Sequence, residues 1–214
     1  MAINCSNNAF YKNLQVVSPP FTLSAWIAPG SFNNPFMFSV TDGSNSFAAN
    51  VSSFNASFKI RTVNGGTTYS STGSTAITGA PTWTLVVAVW NTSSPYEAVY
   101  VSGSSTADST FTTNPGTVSF GAGVATILAA KDTAASSLPW SGYIAFAALW
   151  KIALDPTRDI PQLKYFSPRK VRPDNLVSYT RFTGASPTPD LCSATPWTVV
   201  GTQTKTDNPP VFFP

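Results

Sequence analysis

Hydrophobic and polar positions alternate along most of the chain, in short blocks separated by Gly, Pro and Asn, which is the period-two pattern of strands joined by turns. Phe21, Leu23, Ala25 and Ile27 fall on one face of a strand, with Thr22, Ser24 and Trp26 on the other. Residues 83–90 are apolar on both faces, which suits a central strand covered on both sides. Residues 91–95 break that run, and 96–101 follow as its hairpin partner. Further strands are predicted at 36–40, 46–51, 58–63, 67–71, 117–121, 142–150, 176–182 and 197–200, with hairpin loops around 64–66 and 70–79. The chain reads as all-β.

One short helix interrupts this pattern near residues 155–166, between Leu154 and Phe166. Asp155 or Asp159 can accept hydrogen bonds from the free amides of its first turn, while Pro156 and Pro161 occupy early positions. Ile160, Leu163 and Phe166 would lay one apolar stripe on the sandwich. A single domain is expected over residues 1–200, followed by a Pro-rich tail at 201–214 whose prolines forbid a central strand. The Val211, Phe212, Phe213 end either packs on its own domain or anchors to a neighbour, and these residues are candidate partner contacts. The start shows no basic segment followed by an apolar one, and no apolar run reaches the roughly 18 residues that span a bilayer. A soluble protein with no membrane partner is expected.

Composition then narrows the chemistry. The 214 residues include no histidine and a single glutamate, Glu97. Histidine-dependent nucleophile activation and the usual mixed zinc sites are therefore excluded. The eight aspartates (42, 108, 132, 155, 159, 174, 190 and 207) are scattered, so no local carboxylate cluster exists. Only 10% of residues are charged, against about 25% in an average soluble domain. The net charge of +3 is mild, but seven of the twelve basic residues fall within 151–181. Arg169, Lys170 and Arg172 form its densest part, and are either candidate contacts for an acidic partner or a solvated face. The run lacks the interleaved aromatics of a single-strand platform, so no nucleic-acid partner is expected. Cys5 and Cys192 are the only cysteines, and they can pair only if the terminal strands are neighbours.

Five blocks, in order, carry a resemblance: 21–27, 83–90, 98–103, Val-Ser-Phe-Gly-Ala-Gly at 118–123, and Trp-Ser-Gly-Tyr-Ile-Ala-Phe-Ala-Ala-Leu-Trp at 140–150. Together they resemble the concanavalin A-like lectin/glucanase superfamily, in its laminin-G-like branch. The resemblance implies an antiparallel jelly-roll sandwich. Residues 167–179, 184–191 and 207–214 look like laminin-G-like proteins of tailed bacteriophages. That narrower likeness implies a virion component assembled in the host cytoplasm: a capsid decoration or a fibre- or tail-associated protein. Its partners would be other virion proteins and copies of itself.

The glucanase branch needs two carboxyl groups about 5 to 5.5 Å apart, drawn from a Glu-x-Asp-x-(x)-Glu motif. With Glu97 alone that motif cannot be written, so no enzyme activity is expected. The alternative is a virion lectin for host surface polysaccharide. Trp26 and Trp140 are the candidate carbohydrate contacts, with Trp150 beside them, although at least two of the three are expected in the core. Calcium, used by many relatives, needs several oxygen ligands. Asp42 is better explained as a turn former, so neither a metal nor a cofactor is expected.

Overall fold

The computed structural model describes residues 2–4, 10–13, 18–31, 35–53, 55–121, 125–128, 140–181, 190–192, 197–200 and 204–206. Its strands are β1 (Ala2–Asn4), β2 (Phe10–Asn13), β3 (Phe21–Pro29), β4 (Phe36–Thr41), β5 (Ser46–Val51), β6 (Ser57–Asn64), β7 (Thr67–Ala76), β8 (Thr84–Trp90), β9 (Glu97–Val101), β10 (Ser109–Phe111), β11 (Ala125–Leu128), β12 (Gly142–Trp150), β13 (Leu176–Thr180), β14 (Thr198–Val200) and β15 (Thr204–Thr206). They form two antiparallel sheets. The first runs β10-β9-β8-β3-β12-β1-β15, with β13 also paired to β12, and the second runs β14-β2-β11-β4-β5-β6-β7. The expected jelly-roll sandwich is therefore present. β15 lies in the stretch expected as a tail and pairs at the sheet edge with β1, a position that prolines further along do not obstruct.

Strand alternation builds the core. Phe21, Leu23, Ala25 and Ile27 of β3, with Val86, Ala88 and Trp90 of β8, face Phe38, Phe47, Phe58 and Ile60 across the sandwich. The Phe21 ring stacks on Trp90 at 4.6 Å, and Phe47 meets Phe21 edge-on at 5.2 Å. β8 is buried on both faces as its sequence requires. Its Leu85, Val87 and Val89 lie under a second apolar layer formed by Leu154, Ile160, Leu163, Val171 and Leu176.

Three local expectations are corrected. The helix is α1 (Asp159–Gln162), four residues long. The Asp155 side chain accepts from the backbone N–H groups of Thr157 and Arg158 in the turn before the helix, while the helix itself has no side-chain cap and the amides of Asp159 and Ile160 go to the Asp155 carbonyl. Ile160 and Leu163 are buried, but Phe166 is 40% exposed, because the helix ends before the apolar stripe reaches it. Residues 117–121 are not a strand. Their backbone groups are taken by side chains instead: Asn64 Nδ2 donates to the Thr117 carbonyl, Asn45 Nδ2 donates to that of Ser119, and Asp42 Oδ2 accepts from the Gly121 amide. The strand expected at 67–71 runs on through residues 72–76, expected within a loop, as the edge strand β7. The Gly65-Gly66 turn before it is as read, both glycines having positive φ between paired Asn64 and Thr67.

Candidate functional site

At one end of the sandwich a cleft of about 300 Å³ opens between the two sheets. Its floor is aromatic, made by Phe47 of β5 and Trp90 of β8, with the Thr62 side chain of β6 beside them. One wall is the β8–β9 connection, with Asn91, Thr92 and Tyr96; the other is the irregular stretch from Asn114 to Val118. No lining residue is charged.

The second wall has no ladder, so its position depends on the turns beneath it. Asn64 Nδ2 donates to the carbonyls of Pro115 (2.7 Å) and Thr117 (3.2 Å). Asp42 Oδ1 accepts from the amides of Ser44 and Asn45 while Oδ2 holds Gly121, and these amides lower the Asp42 pKa below the usual carboxylate value. Asp42 is thus a turn organiser, as expected. Phe120 packs edge-on against Phe47 at 5.7 Å, tying the wall to the floor. Asn91 Nδ2 donates to the Pro95 carbonyl at 2.9 Å and fixes the first wall.

Behind the floor lies Glu97, directly opposite Trp90 in register and fully buried. Thr62 Oγ1 donates to its Oε1 at 2.7 Å, while Oε2 has no hydrogen-bond partner. Burial raises its pKa from 4.5 to about 7, the Thr62 hydrogen bond pulling the other way. The indole Nε1 of Trp90 is likewise buried without a partner. An uncharged rim of amides and hydroxyls, with the half-buried Tyr96 ring beside it, can hold a polar ring such as a sugar, while Phe47 and Trp90, each 1% exposed, only back the cleft from below. Among the described residues no group of three acidic or cysteine side chains could hold a metal ion.

Residues 6–158 match the family model described as the concanavalin A-like lectin/glucanases superfamily. The chain belongs to this superfamily. No curated protein matches its sequence. Among solved structures, the lectin-like domain is similar to a putative carbohydrate binding protein of Bacteroides ovatus, with 16% identity and a TM-score of 0.70, covering 97% of this chain and 60% of that one. It also resembles a pentraxin of Limulus polyphemus (18% identity, TM-score 0.60, 76% of this chain and 81% of that one). A third likeness is to a tailspike protein of an Escherichia coli bacteriophage (14% identity, TM-score 0.58, 86% of this chain and 26% of that one). At such identities these likenesses speak for the fold alone.

Among the described residues, none of those singled out from the sequence as contacts lines the cleft of this lectin-like domain. Trp140 is only 1% exposed within the inter-sheet core, so as a carbohydrate contact it is corrected: no ring face is open to a ligand. Trp150 is fully buried and donates from Nε1 to the Val171 carbonyl at 2.7 Å. Two of the three tryptophans are thus core, as expected. Trp26 is half-buried on the outer face of the first sheet, where Trp83 and Tyr143 also sit, their rings 6.0 Å apart. Arg169 and Lys170 are exposed on a 3₁₀ turn, but Arg172 is held by Asp159 at 2.9 Å. Val211, Phe212, Phe213 and Cys5 lie outside the described residues, and Cys192 is exposed and free.

Sequence reasoning missed Phe47, Thr62, Tyr96 and Asn114 because they come together only when both sheets close. Glu97 had a signal: alternation places it on the same strand face as Val99 and Val101, which are core residues.

Proposed function

We propose that this domain is a non-enzymatic, glycan-binding component of a bacteriophage virion that holds a neutral saccharide unit in the cleft between Tyr96 and Asn114. The observation that carries this reading is the cleft itself: the half-buried Tyr96 ring beside an uncharged rim of amides and hydroxyls, backed by the buried Phe47 and Trp90, in a volume that fits about one or two sugar rings. The single glutamate supports a role without bond-making, since it is buried between the sheets and bonded to Thr62. The likenesses to a putative carbohydrate binding protein and to a phage tailspike protein lend support to the glycan and to the virion. An array of bacterial surface polysaccharides probed with wild type and Tyr96→Ala tests it. Saturable binding that Tyr96→Ala weakens about tenfold or more is expected, equivalent to about 1.4 kcal/mol. Indifference to that substitution rejects the cleft.

A second reading, docking onto another virion protein or a second copy, is favoured by Tyr165 at 62% and Phe166 at 40% exposure, close in sequence to Arg169 and Lys170. Charge reversal at Arg169 and Lys170 with Tyr165→Ser would then abolish incorporation into particles while leaving glycan binding intact.

A further inference from the structure

The outer face of the second sheet carries chemistry that the cleft does not use. Along β6 side chains alternate: Phe58, Ile60 and Thr62 turn inward, which leaves Lys59 and Arg61 on the outer face, two positions apart and both half-buried. Strand register surrounds them with small neutral residues. Arg61 lies between Ala48 and Ser70, and Lys59 between Asn50 and Thr72. Strands β4, β5, β6 and β7 contain no aspartate or glutamate; the acidic groups near the two cations are Asp42, in the turn that lends Gly43 and Ser44 to the recess beside Arg61, and Glu97, whose charge interacts with that of Lys59.

Arg61 is not neutralised locally. Its guanidinium lies over the Phe36 ring at 4.6 Å, its Nε is buried without a hydrogen-bond partner, and the described ion pairs belong to Arg158 and Arg172. Partial burial also lowers its pKa, the direction expected for a cation stripped of water without a counter-charge. Beside it Asn50 is 4% exposed, with an Oδ1 that also lacks a partner. Arg61 further lines a recess of about 220 Å³ with Thr41, Ser46 and Thr68. The Asn50 oxygen and the Arg61 Nε are enclosed, whereas the half-buried Arg61 side chain lines the recess without a counter-charge and can take an anion there. An arginine already stacked on an aromatic ring is pre-organised for a planar anion.

We propose that the recess on this face binds the carboxylate of an acidic saccharide, with Arg61 as the central cation, Lys59 as a second and the hydroxyl residues Thr41, Ser46 and Thr68 around it. The site is separate from the cleft, because Arg61 and Thr62 point to opposite faces of the second sheet.

The test titrates the folded 214-residue chain with trigalacturonic acid, its methyl ester and inorganic sulfate, in low and physiological salt. Wild type is expected to bind the acid, the ester about tenfold or more weaker, and to lose affinity as salt rises. Arg61→Gln should weaken the acid by a similar factor, with Arg61→Lys between the two and thermal melts confirming that both variants fold. Equal affinity for acid and ester overturns the proposal, as does unchanged binding in Arg61→Gln or no binding of the acid by wild type. Saturation by sulfate alone, without trigalacturonic acid, rejects the saccharide. Tyr96→Ala separates this site from the cleft: retained acid binding supports the proposal even if the neutral-glycan reading fails, and lost acid binding overturns it.

Discussion

The hydroxyl of Thr62 in one sheet donates a 2.7 Å hydrogen bond to Oε1 of Glu97 in the other, so the interior of the sandwich is joined by a polar contact around a carboxyl group with no buried counter-ion among the described residues. This arrangement makes stability depend on pH. Burial raises the folded-state pKa from 4.5 to about 7, so between these values the folded chain holds a proton that the unfolded chain has released. Stability from this group is therefore full below pH 4.5, falls as pH rises toward 7, and levels off above it. At 1.36 kcal/mol per decade the limiting loss is about 3 kcal/mol. Glu97→Gln keeps an acceptor for Thr62 and removes the titration. Melting curves from pH 5 to 8 should slope downward for wild type and flatten for the variant; parallel slopes would show that Glu97 is not the group responsible.

The edge strand β7 is clasped to the other sheet through Asp108, whose carboxylate accepts from the Thr75 amide and from the hydroxyls of Thr75 and Ser74. The strand can approach this closely because position 73 has no side chain. A Cβ there would sit 2.0 Å from Asp108 Oδ2. Gly73→Ala should destabilise by about 2 kcal/mol through loss of the clasp, and should not add to Asp108→Ala in the double variant. Chemical denaturation of the four proteins checks the non-additivity.

Gly142 opens β12 at φ +114°, and a Cβ there would come within 2.3 Å of the Ala28 carbonyl oxygen and the Gly30 amide nitrogen. Both obstacles are backbone, so neither can swing aside. Gly142→Ala is expected to cost about 3 kcal/mol or more, whereas Gly43→Ala, with nothing near its added carbon but φ of +93°, should cost about 1 to 2 kcal/mol. Comparable losses at the two sites would mean that backbone conformation, not the close approach, sets the penalty.

Asp159 fastens the segment that covers the outer face of the first sheet. Its two oxygens accept from Arg158 Nε and Arg172 Nε, each at 2.9 Å, with its own side chain 6% exposed. Removing the acid leaves two cations without it, although both arginines reach solvent and this softens the effect. Asp159→Ala should lower stability by about 2 kcal/mol and raise amide exchange in residues 154–176 before the rest of the sandwich. Uniform exchange throughout would show that this segment does not open independently.

Much of the fold was legible because it rests on alternation. Strands β3, β5, β8 and β12 bury long apolar runs, so their presence and bounds follow from the pattern of Phe, Val, Leu and Trp. What the pattern could not convey was which polar side chains replace missing ladders. Asn45, Asn64 and Asp42 hold residues 115–121 in place from two other turns, so 117–121 reads as a strand although its backbone bonds run to side chains. The cleft was hidden for the same reason, since Phe47, Tyr96 and Asn114 belong to three distant stretches. Trp140 was misleading, because a tryptophan ready for a ligand and one buried in the core have the same local sequence signature.

The central claim, that the cleft binds a saccharide without cleaving it, is tested most directly by incubating wild type and Tyr96→Ala with a panel of bacterial surface polysaccharides and measuring both bound glycan and newly formed reducing ends. The account predicts saturable binding by wild type, about tenfold or more weaker in the variant at unchanged melting temperature, with reducing ends at the background level. Equal binding by the two proteins, or reducing ends that accumulate with time, would contradict it.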